Sequence, residues 1–70
     1  MGSVYRVIEV IGTSDTSWED AVATAVATAS GSLRDLRVAE VSKLDASIED
    51  GAVSTYRARV KLSFKYEGGA

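Results

Sequence analysis

Apolar and polar side chains alternate along the second half of the chain, from Leu36 to Tyr66. Residues two apart share one face of a β-strand, so this pattern is typical of strands with one buried face. Asp50-Gly51, in the middle of the segment, is a turn signal, and the whole segment is therefore predicted to form one long β-hairpin. The alternation is strictest in the second arm, where Tyr56, Ala58, Val60, Leu62, Phe64 and Tyr66 are interleaved with Arg57, Arg59, Lys61, Ser63 and Lys65.

The register of the hairpin follows from the need to bring its two apolar faces together. In the first arm the apolar side chains fall on even positions, namely Leu36, Val38, Leu44 and Ile48. A two-residue turn at Asp50-Gly51 would pair even positions with odd ones. We therefore predict a three-residue connection at 50–52 or a β-bulge in the first arm. In that register Asp45 lies opposite Arg57, and Val38 lies opposite Phe64.

The first third of the chain predicts a strand followed by a helix. Val4–Ile11 is rich in β-branched side chains and is followed by Gly12. Thr16-Ser17-Trp18-Glu19 has the capping-box pattern, with Thr16 as the N-cap. A helix of about 17 residues should follow and end between Gly31 and Arg34. Its apolar stripe consists of Trp18, Ala21, Val22, Ala25, Val26, Ala29 and Leu33. Since Trp18 begins this stripe, we assign it to packing rather than to a ligand platform.

Lengths decide how much of the hairpin the helix can cover. Each arm could reach about 45 Å, whereas the helix would be about 25 Å long. The helix therefore covers roughly half of the apolar hairpin face, and other copies of the chain are expected to cover the rest. The prediction is a single α+β domain, residues 1–70, with β-α-β-β order and a three-stranded antiparallel sheet wrapped on one helix, assembled into a homo-oligomer.

Composition excludes most catalytic designs. The 70 residues contain no Cys and no His, so thiolate and imidazole chemistry is excluded and we predict that the protein is not an enzyme. A net charge of −2 argues against nonspecific nucleic-acid binding. The sequence shows no signal-peptide core and no membrane-spanning apolar run, and a cytoplasmic location without membrane contact is the expectation.

Several short motifs, in gapless spacing, make the chain resemble the dodecins. They are Val4–Ser14, Thr16–Ala21, Ala39-Glu40-Val41, Asp50-Gly51, Thr55-Tyr56-Arg57 and Ser63-Phe64. The resemblance implies a β-α-β-β subunit in a hollow homododecameric cage whose sheets line the interior. In the family's flavin-binding members it also implies the binding and buffering of riboflavin or related flavins.

At the family's two flavin positions this chain departs from the flavin-binding pattern. The stacking tryptophan is replaced by Val38, and the glutamine that contacts the ring edge is replaced by Arg57. Valine offers no π-face, and arginine only donates hydrogen bonds, so flavin binding in the standard mode is disfavoured. The chain resembles the calcium dodecin branch more closely, in its Thr-Ser-Trp-Glu helix start and its Arg37-Val38 segment. That resemblance implies a cation ligand.

Three carboxylates are candidate cation ligands. Glu9 and Glu40 interrupt otherwise apolar strand faces, and Glu19 lies near the 13–17 loop. The alternative for Glu9 and Glu40 is a salt bridge at an interface, with Arg6, Arg37, Arg57 or Arg59 as the partner. The basic row of the second arm could attract phosphate-bearing ligands such as flavin mononucleotide, or could be a solvated or ion-paired face.

The sequence thus predicts a dodecin-like, homododecameric ligand-binding or storage protein whose ligand is calcium or another cation. Two alternatives stay open. One is a dodecin that binds and buffers riboflavin or flavin mononucleotide through a modified site, and the other is a purely structural cage.

Overall fold

The computed structural model describes residues 2–66, which form three strands and one helix. Strand β1 spans Tyr5–Ser14, helix α1 spans Trp18–Ser30, and strands β2 and β3 span Leu36–Glu49 and Ala52–Lys65. The sheet is antiparallel, with the order β1-β3-β2. The predicted α+β class and β-α-β-β order are confirmed. The predicted domain, 1–70, extends past the described residues at both ends.

The core lies where α1 packs on one face of the sheet. Its buried members are Ala21 and Ala25 of the helix and Ala58, Val60 and Leu62 of β3. Small side chains bring the helix close to the sheet, and Gly12 of β1 brings it closest. A Cβ atom at Gly12 would lie 2.1 Å from the Ala21 carbonyl oxygen.

Helix α1 begins one residue later than predicted. Ser17, not Thr16, is the N-cap, and its hydroxyl accepts a hydrogen bond from the Asp20 amide at 3.0 Å. Thr16 is unavailable because its hydroxyl lies 2.9 Å from the Ser14 hydroxyl and its amide donates to the same oxygen. The Ser14 hydroxyl also donates a hydrogen bond to the Asp20 carboxylate, at 2.8 Å. The helix ends at Ser30 with Gly31 as its C-cap, one residue before the predicted range, and it has 13 residues rather than the predicted 17 or so.

The hairpin turn has two residues, so the predicted three-residue connection is wrong. The predicted alternative, a β-bulge that shifts the register, is present near the turn, but in the second arm. Asp50 and Gly51 both have positive φ, 53° and 77°, as expected of a tight hairpin turn. Glu49 pairs with Ala52, and the register then shifts at Ser54, an extra residue in the second arm rather than the first. Beyond this bulge Asp45 lies opposite Arg57, as predicted.

Two further bulges in β2, at Ser42 and Arg37, change which side chains share a face. Val38 pairs with Ser63, while Leu36 pairs with Phe64, so the predicted Val38–Phe64 pairing is wrong. Paired residues in an antiparallel ladder point to the same side of the sheet. Val38 therefore lies on the face away from the helix, which we call the open face.

The helix leaves much of its own side of the sheet uncovered. At 13 residues it is about 20 Å long, while the molecule extends over 53 Å. On the same side, toward the hairpin turn, Leu44 is 50% exposed and Ile48 is 70% exposed. The prediction that the helix covers only part of the hairpin is confirmed. In residues 2–66 no helix has both the length and the apolar character needed to cross a membrane.

Candidate functional site

The open face carries most of the sequence-predicted site residues, arranged in rows across the three strands. One row joins Thr13, Arg57 and Asp45, and the next joins Ile11, Arg59 and Lys43. A third row consists of Glu9, Lys61 and Glu40, and a fourth of Val7, Ser63 and Val38. Of these four rows, the three nearer the hairpin turn contain charged side chains and the fourth contains none.

Asp45 and Arg57 form an ion pair in the first of these rows. The Arg57 Nε donates to Asp45 Oδ1 at 2.8 Å, and both side chains are partly exposed. The hydrogen bond from Arg57 lowers the pKa of the Asp45 carboxyl, and the charges of Arg57, Lys43 and Arg59 act in the same direction. Arg57 is thus engaged by a neighbour in its own chain.

Val38 and Arg57, the two altered flavin positions, lie on the same face but far apart within one chain. Val38 is opposite Ser63, and Ser63 is six residues along β3 from Arg57. Six strand residues span about 20 Å. Val38 is 60% exposed and has no aromatic side chain in its row. One subunit therefore cannot bring both positions to a single flavin ring, and a site that uses both needs a second subunit.

Glu9 and Glu40 lie in one row with a lysine between them. Lys61 is directly opposite both glutamates in the two ladders, although no nitrogen–oxygen distance among them is within 4 Å. Within residues 2–66 of one subunit the single ion pair is Asp45–Arg57, and the alternative for Glu9 and Glu40, a salt bridge to an arginine at an interface, stays a prediction. Glu9 Oε2 instead accepts a long hydrogen bond, 3.5 Å, from the hydroxyl of Ser42 at the bulge.

Glu19 lies on the other side of the sheet from Glu9 and Glu40. It is in the first turn of α1, beside a groove of about 310 Å³ lined by Trp18, Val22, Val41 and Leu44. The three candidate carboxylates are thus not brought together. Within the described part of the chain no group of three acidic side chains could hold a metal ion. Calcium prefers six to eight oxygen ligands, so residues 2–66 of one subunit do not by themselves fit a calcium site.

Trp18 packs, as expected from its place in the apolar stripe. Its ring meets Tyr56 edge to face with centroids 5.0 Å apart, and its Nε1 donates to the Asp45 carbonyl oxygen at 2.9 Å. Asp45 consequently contacts the helix side through its carbonyl and the open face through its carboxylate. The sequence predicted the pairing of Asp45 with Arg57 but not the contact with Trp18, because that contact depends on where α1 packs against the edge strand β2.

A second, larger groove separates α1 from the edge strand β1. Its volume is about 460 Å³, and its lining is mostly apolar with threonine hydroxyls at the rim, contributed by Ile8, Val10, Ile11, Thr13, Thr24, Thr28, Ala29 and Leu33 among others. Both grooves lie along the helix, on opposite sides of it. Together with the exposed apolar residues of β2 they make the helix side of the sheet an incomplete core.

Lys43 is a residue of this face that the sequence did not single out. It lies directly opposite Arg59, and both side chains are exposed. In a regular first arm Lys43 would share a face with Val41, but the Ser42 bulge places Val41 on the helix side and Lys43 on the open face.

Comparisons with known proteins agree with the fold. The family model described as Dodecin matches residues 4–67. The chain is 49% identical over 63 residues to the protein named calcium dodecin from Mycobacterium tuberculosis, covering 90% of this chain and 89% of the relative.

Solved structures show the same likeness. The structure of dodecin from Streptomyces coelicolor matches with a TM-score of 0.92 and 42% identity, covering 96% of each chain. The crystal structure of the calcium-chelating antigen calcium dodecin from Mycobacterium tuberculosis, described as having a novel calcium-binding site, matches with a TM-score of 0.83 and 46% identity, covering 97% of each chain. With its sequence matched almost end to end and its fold superimposed on solved dodecins, the chain belongs to the dodecin family.

Proposed function

We propose that the chain assembles into a homododecameric shell that binds and stores a small ligand, with calcium or another cation as that ligand. The observation that carries the assembly is the uncovered apolar surface on the helix side of the sheet, toward the hairpin turn. Leu44, Ile48 and Val53 are each at least half exposed there, beyond the last buried residue of β3 toward the turn, Ala58. Contiguous exposed apolar surface of this kind marks an interface between subunits.

The mass of the native particle tests the assembly. Native mass spectrometry or sedimentation should give twelve times the mass of the chain. Leu44→Glu places a charge on the uncovered face without touching the buried core and should dissociate the particle. Ala27→Glu, at an exposed helix position, is the matched control and should leave it intact. A stable monomer of the parent protein would contradict the proposal.

The cation is supported by the calcium dodecin relative and by the abundance of carboxylates, ten in the chain. Because residues 2–66 of one subunit do not by themselves form a calcium site, the proposal places the cation between subunits, with Glu40 and Glu9 as the first candidates and Glu19 as the third. Isothermal titration with calcium should give saturable heat that Glu40→Gln or Glu9→Gln reduces. Glu49→Gln, at the hairpin end, is the control. Absence of heat and of a thermal shift at millimolar calcium would leave the structural cage.

A flavin-buffering role is the second candidate, and family membership is what favours it. Val38 and Arg57 argue against the standard stacking mode, since valine has no π-face and Arg57 is already paired with Asp45. Riboflavin should therefore cause no submicromolar fluorescence quenching, and such quenching would restore the flavin candidate. Binding rather than catalysis is proposed in either case, and the cytoplasmic location stays a prediction.

A further inference from the structure

We propose that Lys43 and Arg59 form a binding site for a phosphoryl anion on the open face of the sheet. In the observed register the two cations face each other across β2 and β3. It is independent of the proposed cation ligand, which uses the glutamates of other positions.

Lys43 and Arg59 repel each other across the ladder. Like charges directly opposite each other in a ladder destabilise a sheet. Opposite residues have Cα atoms about 4.5–5.5 Å apart, and both side chains stand on the same face. Among the rows formed by residues 2–66, this is the one row with two cations and no carboxylate, because its third member is Ile11. A bound anion would offset the repulsion.

Neither cation forms an ion pair with a carboxylate among residues 2–66. Asp45, in the next row, accepts from Arg57 at 2.8 Å. Glu9 and Glu40, in the row on the other side, both lie opposite Lys61. In the described part of the chain neither Lys43 nor Arg59 has a carboxylate within 4 Å. Of the two flanking rows, Thr13–Arg57–Asp45 carries no net charge and Glu9–Lys61–Glu40 carries one negative charge, whereas the row of Lys43 and Arg59 carries two positive charges.

The two side chains offer the donors and charges that bind a phosphoryl group. A guanidinium presents a planar fork of donors that matches two phosphate oxygens, and an ammonium adds a compact second charge. Both side chains are exposed, and Ile11 beside them provides no competing acceptor. A phosphoryl dianion carries two negative charges, which match the two positive charges of this pair.

Titration of the assembled protein with inorganic phosphate, at pH 7.5 and constant ionic strength kept with sodium chloride, tests the proposal. We expect saturable heat with a Kd in the millimolar range. Lys43→Gln and Arg59→Gln should each weaken binding at least about fivefold, since each removes one of two charges. Arg59→Lys, which keeps the charge, should weaken it less. Lys61→Gln is the matched control, an exposed lysine two residues along the same strand face, and should change the Kd by less than twofold.

A second arm uses glycerol phosphate, which shares the phosphoryl group. Equal binding of the two compounds would show that the site accepts a phosphate ester. Binding of inorganic phosphate alone would show that it takes the free ion. Either result supports the site. Three results would overturn it. They are no saturable heat from the parent protein, an equal loss in Lys61→Gln, and dissociation of the particle in Arg59→Gln, which would mean that a partner subunit's carboxylate occupies the position.

Discussion

Gly12 of β1 lies so close to Ala21 of α1 that a methyl group at position 12 would meet the Ala21 carbonyl oxygen at 2.1 Å and the Ala25 methyl at 2.9 Å. The nearest obstacle is helix backbone, which cannot rotate away as a side chain can. Glycine is therefore required here for close packing and not for a special backbone angle.

Gly12→Ala should consequently destabilise the protein by about 1–3 kcal/mol or more, since the whole helix must move to relieve the overlap. Urea unfolding at fixed protein concentration measures the loss. Gly2→Ala, where the added methyl meets nothing within 4 Å, is the control and should be neutral. A neutral Gly12→Ala would show that the helix can lift off the sheet at little cost.

The Ser14 hydroxyl links the end of β1 to the start of α1, and its removal should cost about 1–2 kcal/mol. In Ser14→Ala the Thr16 amide loses its acceptor and the Asp20 carboxylate loses a donor, at 3.0 and 2.8 Å in the parent. Ser14 is buried, so water does not replace these bonds fully. Thermal unfolding monitored by circular dichroism gives the comparison. Ser32→Ala, an exposed serine after the helix, should have a much smaller effect.

Stability should depend on the ionisation of Asp45 at low pH. The hydrogen bond from Arg57 lowers the pKa of Asp45 below 3.8 in the folded state. A lowered pKa adds stability that is fully present above the unfolded-state value and is lost as the pH falls through the folded-state value. Asp45→Asn should therefore be less stable than the parent at pH 7, and the difference should shrink below pH 3.8.

The midpoint of thermal unfolding, followed from pH 7 to pH 2, tests this dependence. Asp45→Asn keeps the backbone carbonyl that accepts from Trp18, so the variant isolates the carboxylate. Glu49→Gln, at the exposed end of β2, serves as the comparison for loss of a surface charge. A constant gap between the parent and Asp45→Asn across this pH range would contradict the role of the ion pair.

Val38→Trp should raise the affinity for riboflavin, because an aromatic ring at this exposed position restores a stacking surface. Stacking on an aromatic side chain contributes about 1–3 kcal/mol per ring, or roughly 5- to 150-fold in Kd. Combining it with Arg57→Gln should increase the affinity further, since glutamine both donates and accepts at the ring edge. Quenching of flavin fluorescence measures the Kd.

Ala27→Trp is the control for this prediction, because Ala27 is an exposed position of α1, on the other side of the sheet from Val38 and outside the uncovered apolar surface near the hairpin turn. It should leave riboflavin affinity at the parent's level. Equal gains in both variants would mean that any exposed tryptophan attracts the flavin and that position 38 has no special geometry.

The fold followed from sequence because its determinants are local and periodic. The strict alternation from Tyr56 to Tyr66 predicted β3 and its buried face, and Ala58, Val60 and Leu62 are indeed the buried strand residues. The helix start was missed by one residue, since Thr16 and Ser17 are equally good caps by type and only the position of Ser14 decides between them.

The candidate site followed less well because it depends on pairing between distant residues. A β-bulge costs one residue and leaves little trace in the alternation, so Val38 was placed on the helix side although it lies on the open face. The Asp45–Arg57 pair was predicted correctly, since the register between the Ser54 and Ser42 bulges agrees with the one assumed. Beyond Ser42 the assumed register fails, and with it the expected surroundings of Val38.

The bulge at Ser42 affects the bend of β2 without affecting which of its side chains face the helix. Val41 and Lys43 point to opposite sides of the sheet, as two adjacent residues of a regular strand would. Deleting Ser42 would make them adjacent, so the same side chains would still face the helix. What it adds is a bend, because a bulge bends and twists its strand locally. In a closed shell of the proposed kind the angle between neighbouring subunits follows from such bends. The diameter of such a shell would then depend on the number of residues in β2, whereas the packing inside each subunit depends on which residues they are.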